Sequence, residues 1–140
     1  MRTPGRGFFS GGAVAFIVVG LMHLTAQLQP PPPGAEAAHD AMVAFTVTAL
    51  GRTWSISDAY DVLSVSFAAL SILVGVLDLY VLRALQPAGA SLRGLARVNG
   101  LGALALATIA GLRSVAPPLY LYAVVTLLFM VSARRSRAPA

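Results

Sequence analysis

Apolar residues in this chain gather into four long stretches, which polar and turn-forming residues separate. The stretches cover residues 8–28, 57–85, 95–112 and 118–132. About 20 mostly apolar residues in a helix are enough to cross the hydrocarbon core of a bilayer. The pattern therefore predicts a single all-α domain built as a bundle of four transmembrane helices.

The composition supports a membrane protein. Of the 140 residues, 57% are hydrophobic and 11% are charged, whereas a typical soluble domain has about 25% charged residues. A soluble fold of this length has too little interior to bury so much apolar surface. We therefore predict a multi-pass membrane protein.

The first stretch follows Arg2 and Arg6, so it has the charge pattern of a signal peptide. Its apolar run is longer than the usual signal core of about 7–15 residues, and no small-residue cleavage motif follows it. We therefore predict that this stretch is retained as a membrane helix.

The arginines set the predicted orientation, because all ten basic residues are arginine and most flank an apolar stretch. If every stretch crosses the bilayer, one side receives Arg2, Arg6, Arg83, Arg93, Arg97, Arg134, Arg135 and Arg137. The other side receives Arg52 and Arg113. Cytoplasmic loops keep positive charge, so we predict a bacterial inner-membrane protein with both termini in the cytoplasm. The net charge of +5 then reflects topology and contact with anionic lipids, and nucleic acid is not an expected partner.

Residues 35–50 connect the first two stretches and are too few to cross the membrane. They predict a short helix that lies at the outer interface and ends at Gly51. Val43 and the run Thr46–Thr48 are β-branched, which keeps a strand open as the alternative. At the start of the second stretch, Ser55 and Asp58 have the spacing of a capping box.

Small and polar side chains recur on one face of the second helix, at alternating spacings of three and four residues. The members of this face are Ser64, Ala68, Ser71, Gly75 and Asp78. Lipid supplies no hydrophobic drive between helices, so close packing and interhelical hydrogen bonds must hold them together. We predict that this face is a packing seam, against sibling helices or a second copy of the chain.

Asp78 lies near the predicted inner end of the second helix. A charged side chain inside the membrane costs at least about 2.5 kcal/mol, so it usually has a partner. The candidate partners are Arg83, Arg93, Arg97 and Asn99. Any of these pairings would fix the hairpin that the second and third helices form.

The predicted topology brings five polar residues to the outer end, namely His23, Arg52, Asp58, Asp61 and Arg113. In one interpretation they form an outward-facing ligand pocket in which His23 faces Asp61. In the other they are structural. Asp61 then pairs with an arginine, Asp58 caps its helix, and His23 bonds to a carbonyl.

Motifs for catalysis or metal binding are absent from the sequence. There are two histidines and no cysteine, and neither H-E-x-x-H nor G-x-S-x-G occurs. We therefore predict no catalytic residue and no metal ligand, and the sequence does not identify a cofactor. The pattern favours a non-enzymatic protein or accessory subunit that binds a lipid, a quinone-like molecule or a partner membrane protein. The alternatives are a redox or proton-handling enzyme component that uses His23 and Asp61, and a small oligomeric transporter.

Two short elements resemble a group of small, largely uncharacterised four-helix inner-membrane proteins found in many bacteria. One is Gly20–Leu24 in the first helix, and the other combines Leu50–Arg52 with Ser57–Tyr60 at the start of the second. The resemblance covers most of residues 12–131. It implies a compact four-helix bundle and no particular activity. The positions that it singles out are His23, Arg52, Asp58 and Asp61.

Overall fold

The computed structural model describes residues 5–30, 32–84, 91–113 and 115–136. Its elements, in chain order, are α1 (Arg6–Gln27), α2 (Glu36–Ala44), β1 (Thr46–Ala49), β2 (Arg52–Ser55), α3 (Ile56–Ala84), α4 (Arg93–Leu112) and α5 (Ala116–Arg135). Four of the helices, α1, α3, α4 and α5, are long and apolar enough to cross a membrane by length and composition. The predicted set of four apolar helices is thus confirmed. Leu85, where the second stretch was expected to end, lies outside the described residues, as do residues 86–90.

Helix α1 is central to the packing, because it lies along α3 on one side and along α5 on the other, while α4 lies along α5. Helices α3 and α4 meet through side chains. The amide Nδ2 of Asn99 donates a hydrogen bond to Oδ2 of Asp78 at 2.6 Å. Of the four candidate partners, Asn99 is therefore the one that Asp78 contacts, and the bond joins two consecutive membrane helices.

Glycine lets α1 and α3 approach until their backbones touch. A Cβ atom added at Gly20 would lie 2.7 Å from the carbonyl oxygen of Ala68, and one at Gly75 would lie 2.5 Å from that of Ala13. Such distances are too short for a side-chain carbon. The crossing therefore needs glycine on both helices, as expected where packing replaces the hydrophobic drive.

Aromatic rings fill the space between α1, α3 and α5. Phe9 and Phe129 are fully buried and meet edge to face, with ring centroids 5.3 Å apart. Phe16 lies 5.7 Å from Phe129, and Phe67 of α3 lies 6.2 Å from Tyr122 of α5. Edge-to-face and tilted pairs at these distances are favourable beyond the apolar area that they bury. This cluster ties the three helices together.

The segment between α1 and α3 is part helix and part hairpin. Helix α2 ends at Ala44, and β1 pairs antiparallel with β2, so that Thr46 lies opposite Ser55. Leu50 and Gly51 form the turn with φ values of 51° and 73°, which is the two-residue geometry that suits a twisted hairpin. The prediction of one helix over residues 35–50 is therefore wrong in its second half. β-branched side chains pack well on a strand, and Gly51 adopts positive φ without strain, so the hairpin forms instead.

Helix α5 begins earlier than the sequence pattern predicts. The fourth apolar stretch begins at residue 118, whereas α5 starts at Ala116 and has Pro117 and Pro118 in its first turn. The first backbone N–H groups of a helix have no partner within the helix, so proline costs nothing there and its fixed φ favours the helix start.

Candidate functional site

The membrane helices alternate in direction, so the starts of α1 and α4 share one end of the bundle with the ends of α3 and α5. The Ser91 hydroxyl donates to the carbonyl of Ser136 at 3.2 Å, and a Cβ at Gly5 would also meet Ser136. We call this the arginine end, because it carries Arg6, Arg83, Arg93, Arg97, Arg134 and Arg135. The opposite end, with α2, β1 and β2, is the hairpin end, and it carries Arg52 and Arg113.

These eight arginines are divided between the ends as the sequence predicts. Arg2 and Arg137 lie outside the described residues. Which end faces the cytoplasm stays a prediction, since it depends on the charge rule alone.

His23 links α1 to α3 near the hairpin end. Its Nε2 atom lies 3.3 Å from the Ser64 hydroxyl, and its ring meets Phe67 edge on at a centroid distance of 5.1 Å. Asp61 lies one turn before Ser64, is exposed, and has no hydrogen bond or ion pair within the described part of the chain. On α3, His23 therefore contacts Ser64 and Phe67, and within the described residues it makes no hydrogen bond to a carbonyl.

The predicted capping box is confirmed at the start of α3. The backbone N–H and the hydroxyl of Ser55 both donate to Oδ2 of Asp58 at 2.8 Å. In return, the N–H of Asp58 donates to the Ser55 hydroxyl at 3.0 Å. The Asp58 carboxylate is thereby engaged in starting the helix, and β2 continues into α3 without a linker.

Arg52 and Arg113 complete the set of five predicted pocket residues, and both are exposed. Arg52 sits in β2 opposite Ala49, and Arg113 follows the last turn of α4. Within the described residues, no hydrogen bond or ion pair joins any two of the five. A ligand pocket at the hairpin end therefore stays a prediction without a built site.

All five residues of the predicted seam are buried, namely Ser64, Ala68, Ser71, Gly75 and Asp78. Ser64, Ala68 and Gly75 lie against α1, whereas Asp78 reaches α4. The face is thus used by sibling helices of the same chain.

An open groove lies at the arginine end of the described bundle. A groove of about 1260 Å³ runs between the start of α1 and the end of α3 and reaches Leu128 of α5. The side chains of Phe8, Val76 and Leu79 form part of its apolar wall. Arg6 and Arg83 also line the groove. The sequence analysis did not predict this groove. The one available signal was the pair Gly5 and Gly7 at the start of α1, because glycine has no side chain to fill the space beside the helix.

No known protein family, curated protein or solved structure matches this chain. The resemblance to small four-helix bacterial proteins therefore stays a prediction, and function must be argued from geometry.

The arginine end combines an apolar groove with guanidinium groups. Within residues 5–30, 32–84, 91–113 and 115–136, no three histidine, cysteine, aspartate or glutamate side chains come close enough to hold a metal ion. What the geometry does offer is apolar volume beside guanidinium groups, an arrangement suited to amphiphiles with an acidic head.

Proposed function

We propose that this chain is a non-enzymatic membrane protein that binds a lipid-like amphiphile in the groove between α1 and α3. The observation that carries the proposal is the groove of about 1260 Å³ at the arginine end. Binding sites for small molecules typically occupy about 300–1,000 Å³ and have mostly apolar walls with a few placed polar groups. The groove has the size and the lining for a ligand with a long apolar chain.

The position of the charges suggests how the ligand lies. Phe8, Val76 and Leu128 offer contact to an apolar chain, while Arg83 lies in the last turn of α3. Arginine keeps its apolar stem along such a wall and holds its charged head near water. Its planar guanidinium also matches a phosphate or carboxylate. The apolar chain of the ligand would lie between the helices, and its acidic head would lie at the membrane surface.

The proposed orientation places this groove in the cytoplasmic leaflet of a bacterial inner membrane. It rests on the excess of arginine at the same end, because positive charge is retained in cytoplasmic loops. A ligand from that leaflet could enter sideways without crossing the membrane.

The rival function, a proton-handling or redox component, needs His23 and Asp61 to exchange a proton. The polar contact of His23 is the Ser64 hydroxyl, and its ring packs on Phe67. Asp61 lies one turn before Ser64, is exposed, and makes no hydrogen bond to His23 within the described residues. Because His23 and Asp61 are not hydrogen-bonded to each other, the geometry supports amphiphile binding better than proton exchange.

A groove-filling variant tests the proposal. Gly7 lines the groove, and a Cβ atom added there would meet nothing within 4 Å. Gly7→Phe should therefore fold normally and fill the groove. We expect native mass spectrometry of the wild-type protein in native lipid to show a co-purifying amphiphile that Gly7→Phe loses.

Gly102→Phe is the matched control, because Gly102 is also exposed and its added Cβ meets nothing within 4 Å. It lies on α4, away from the groove, and should retain the amphiphile. Retention by Gly7→Phe, or wild-type protein that carries only bulk lipids in membrane proportions, would contradict the proposal.

A further inference from the structure

A second cavity opens at the arginine end, between the start of α4 and the end of α5. It measures about 190 Å³ and is lined by Arg93, Arg97 and Arg134, together with Met130 and Ala133. It shares no lining residue with the groove between α1 and α3. Three positive side chains therefore converge on one small space.

No carboxylate side chain neutralises these arginines. Four of the five acidic residues lie at the hairpin end, namely Glu36, Asp40, Asp58 and Asp61. The fifth, Asp78, accepts its hydrogen bond from Asn99. No ion pair of Arg93, Arg97 or Arg134 with any of them is found in the described residues. Like charges that share a cavity repel one another, so the arrangement favours an anion between them.

Arg93 has an unused donor at this cavity. Its Nε atom is shielded from solvent and has no hydrogen-bond partner. Buried polar atoms in proteins almost always have a partner, and an unpaired one calls for an explanation. Arg93 lines the cavity, so the residue with this unpaired donor belongs to the basic cluster around it.

We infer that this cavity binds the phosphate group of an anionic phospholipid. Arginine donates two parallel hydrogen bonds to phosphate oxygens, which makes it well suited to this group. A water molecule occupies about 30 Å³ in the liquid, so about 190 Å³ accommodates a phosphate and a few waters. The cavity lies beside the first turn of α4 and the last turns of α5. If these helices cross a bilayer, their ends lie at the level of the phospholipid phosphates. Basic pockets between membrane helices recognise anionic head groups in this way.

Lipid titration of the purified full-length protein tests the inference. Native mass spectrometry and thermal unfolding would follow binding of short-chain phosphatidylglycerol and of short-chain phosphatidylcholine, each added to detergent-solubilised protein. The wild-type protein should bind phosphatidylglycerol and gain thermal stability from it, with little response to phosphatidylcholine. Equal responses to the two lipids would overturn the inference, and this arm needs no variant.

The double variant Arg93→Gln/Arg97→Gln removes two of the three charges. We expect its affinity for phosphatidylglycerol to fall about tenfold or more, because hydrogen bonds to charged groups are stronger than neutral ones. Arg52→Gln with Arg113→Gln is the matched control. Both residues are exposed at the hairpin end, and neither lines this cavity or the groove between α1 and α3. The control loses the same charge and should bind as the wild type does.

A third arm separates lipid from free phosphate, which present the same chemistry. Inorganic phosphate at millimolar concentration should not displace phosphatidylglycerol from the wild-type protein. Displacement, or stabilisation by phosphate alone that the double variant loses, would identify a free-phosphate site and overturn the lipid assignment. A control pair that loses lipid affinity as much as the double variant would also overturn it, because total charge would then explain the binding.

Discussion

At the hairpin end, the polar groups of the capping box and of the hairpin find partners within a few residues of chain, whereas at the arginine end a buried donor of Arg93 has no partner among the described residues. The carboxylate of Asp58 accepts two hydrogen bonds from Ser55, and the hydroxyls of Thr48 and Thr53 pair across the hairpin at 2.8 Å. Arg93, by contrast, keeps an Nε atom that no protein group satisfies. Polar groups in this bundle therefore have two different roles. Locally satisfied groups build structure, and unsatisfied groups beside a cavity indicate an external ligand.

The close contact between α1 and α3 connects the two ends of the bundle. Disrupting it should therefore lower the stability of the protein more than the other changes below. In Gly75→Leu the new side chain has to enter a space where the Cβ alone would lie 2.5 Å from the carbonyl oxygen of Ala13. Overpacking a tight interior typically costs about 1–3 kcal/mol, and here a backbone atom cannot move aside as a side chain can. We expect unfolding in mild detergent, measured by circular dichroism during thermal denaturation.

Gly102→Leu is the control for that change, since Gly102 has open space around it. It should unfold at the temperature of the wild type. Equal stability of the Gly75 and Gly102 variants would mean that α1 and α3 do not touch at this crossing.

The hydrogen bond between Asn99 and Asp78 lies toward the arginine end, yet it is internal to the protein. Asn99→Leu would leave the Asp78 carboxylate buried without its donor, at a cost of about 1–3 kcal/mol or more. Asp78→Asn with Asn99 intact retains a hydrogen bond and should cost less. A double-mutant cycle in denaturant unfolding measures the coupling, and additive effects of the two changes would show that the residues are not paired.

The smallest effect is expected at the capping box. Ser55→Ala removes the hydroxyl that bonds to Asp58, and loss of a helix cap costs about 1 kcal/mol. Hydrogen exchange should speed up at the amides of β2 and the first turn of α3. Binding of phosphatidylglycerol at the arginine end should not change, and an altered lipid affinity would show that the two ends are coupled.

The sequence predicts the long elements of this fold well, because their determinants are local. Apolar runs identify the membrane helices, and Ser55 with Asp58 identifies the start of α3. The small face of α3 is also visible, since three- and four-residue spacing fixes which side chains share a side. The hairpin was less predictable. Its first strand has apolar and β-branched residues that also occur in short helices, and the decisive feature is the turn at Leu50 and Gly51.

Contacts between helices were less predictable than the helices themselves. His23 was expected opposite Asp61 and meets Ser64, one helical turn further along α3. Sequence spacing shows which residues share a face, but the rotation and height of α1 against α3 follow from the contact at Gly20 and Gly75. Both cavities at the arginine end arise from the spacing of helix ends in three dimensions, which no local pattern encodes.

The turn of the hairpin has a practical consequence for work on this protein. Leu50 is fully exposed, and no side chain contacts a Cβ atom added at Gly51. Exposed loop tips are the places where a chain best accepts inserted residues. A short epitope or a reporter placed between Leu50 and Gly51 would leave the helices and their contacts intact. A label at the hairpin would lie opposite the arginine end, so its accessibility on whole cells would report the orientation of the chain.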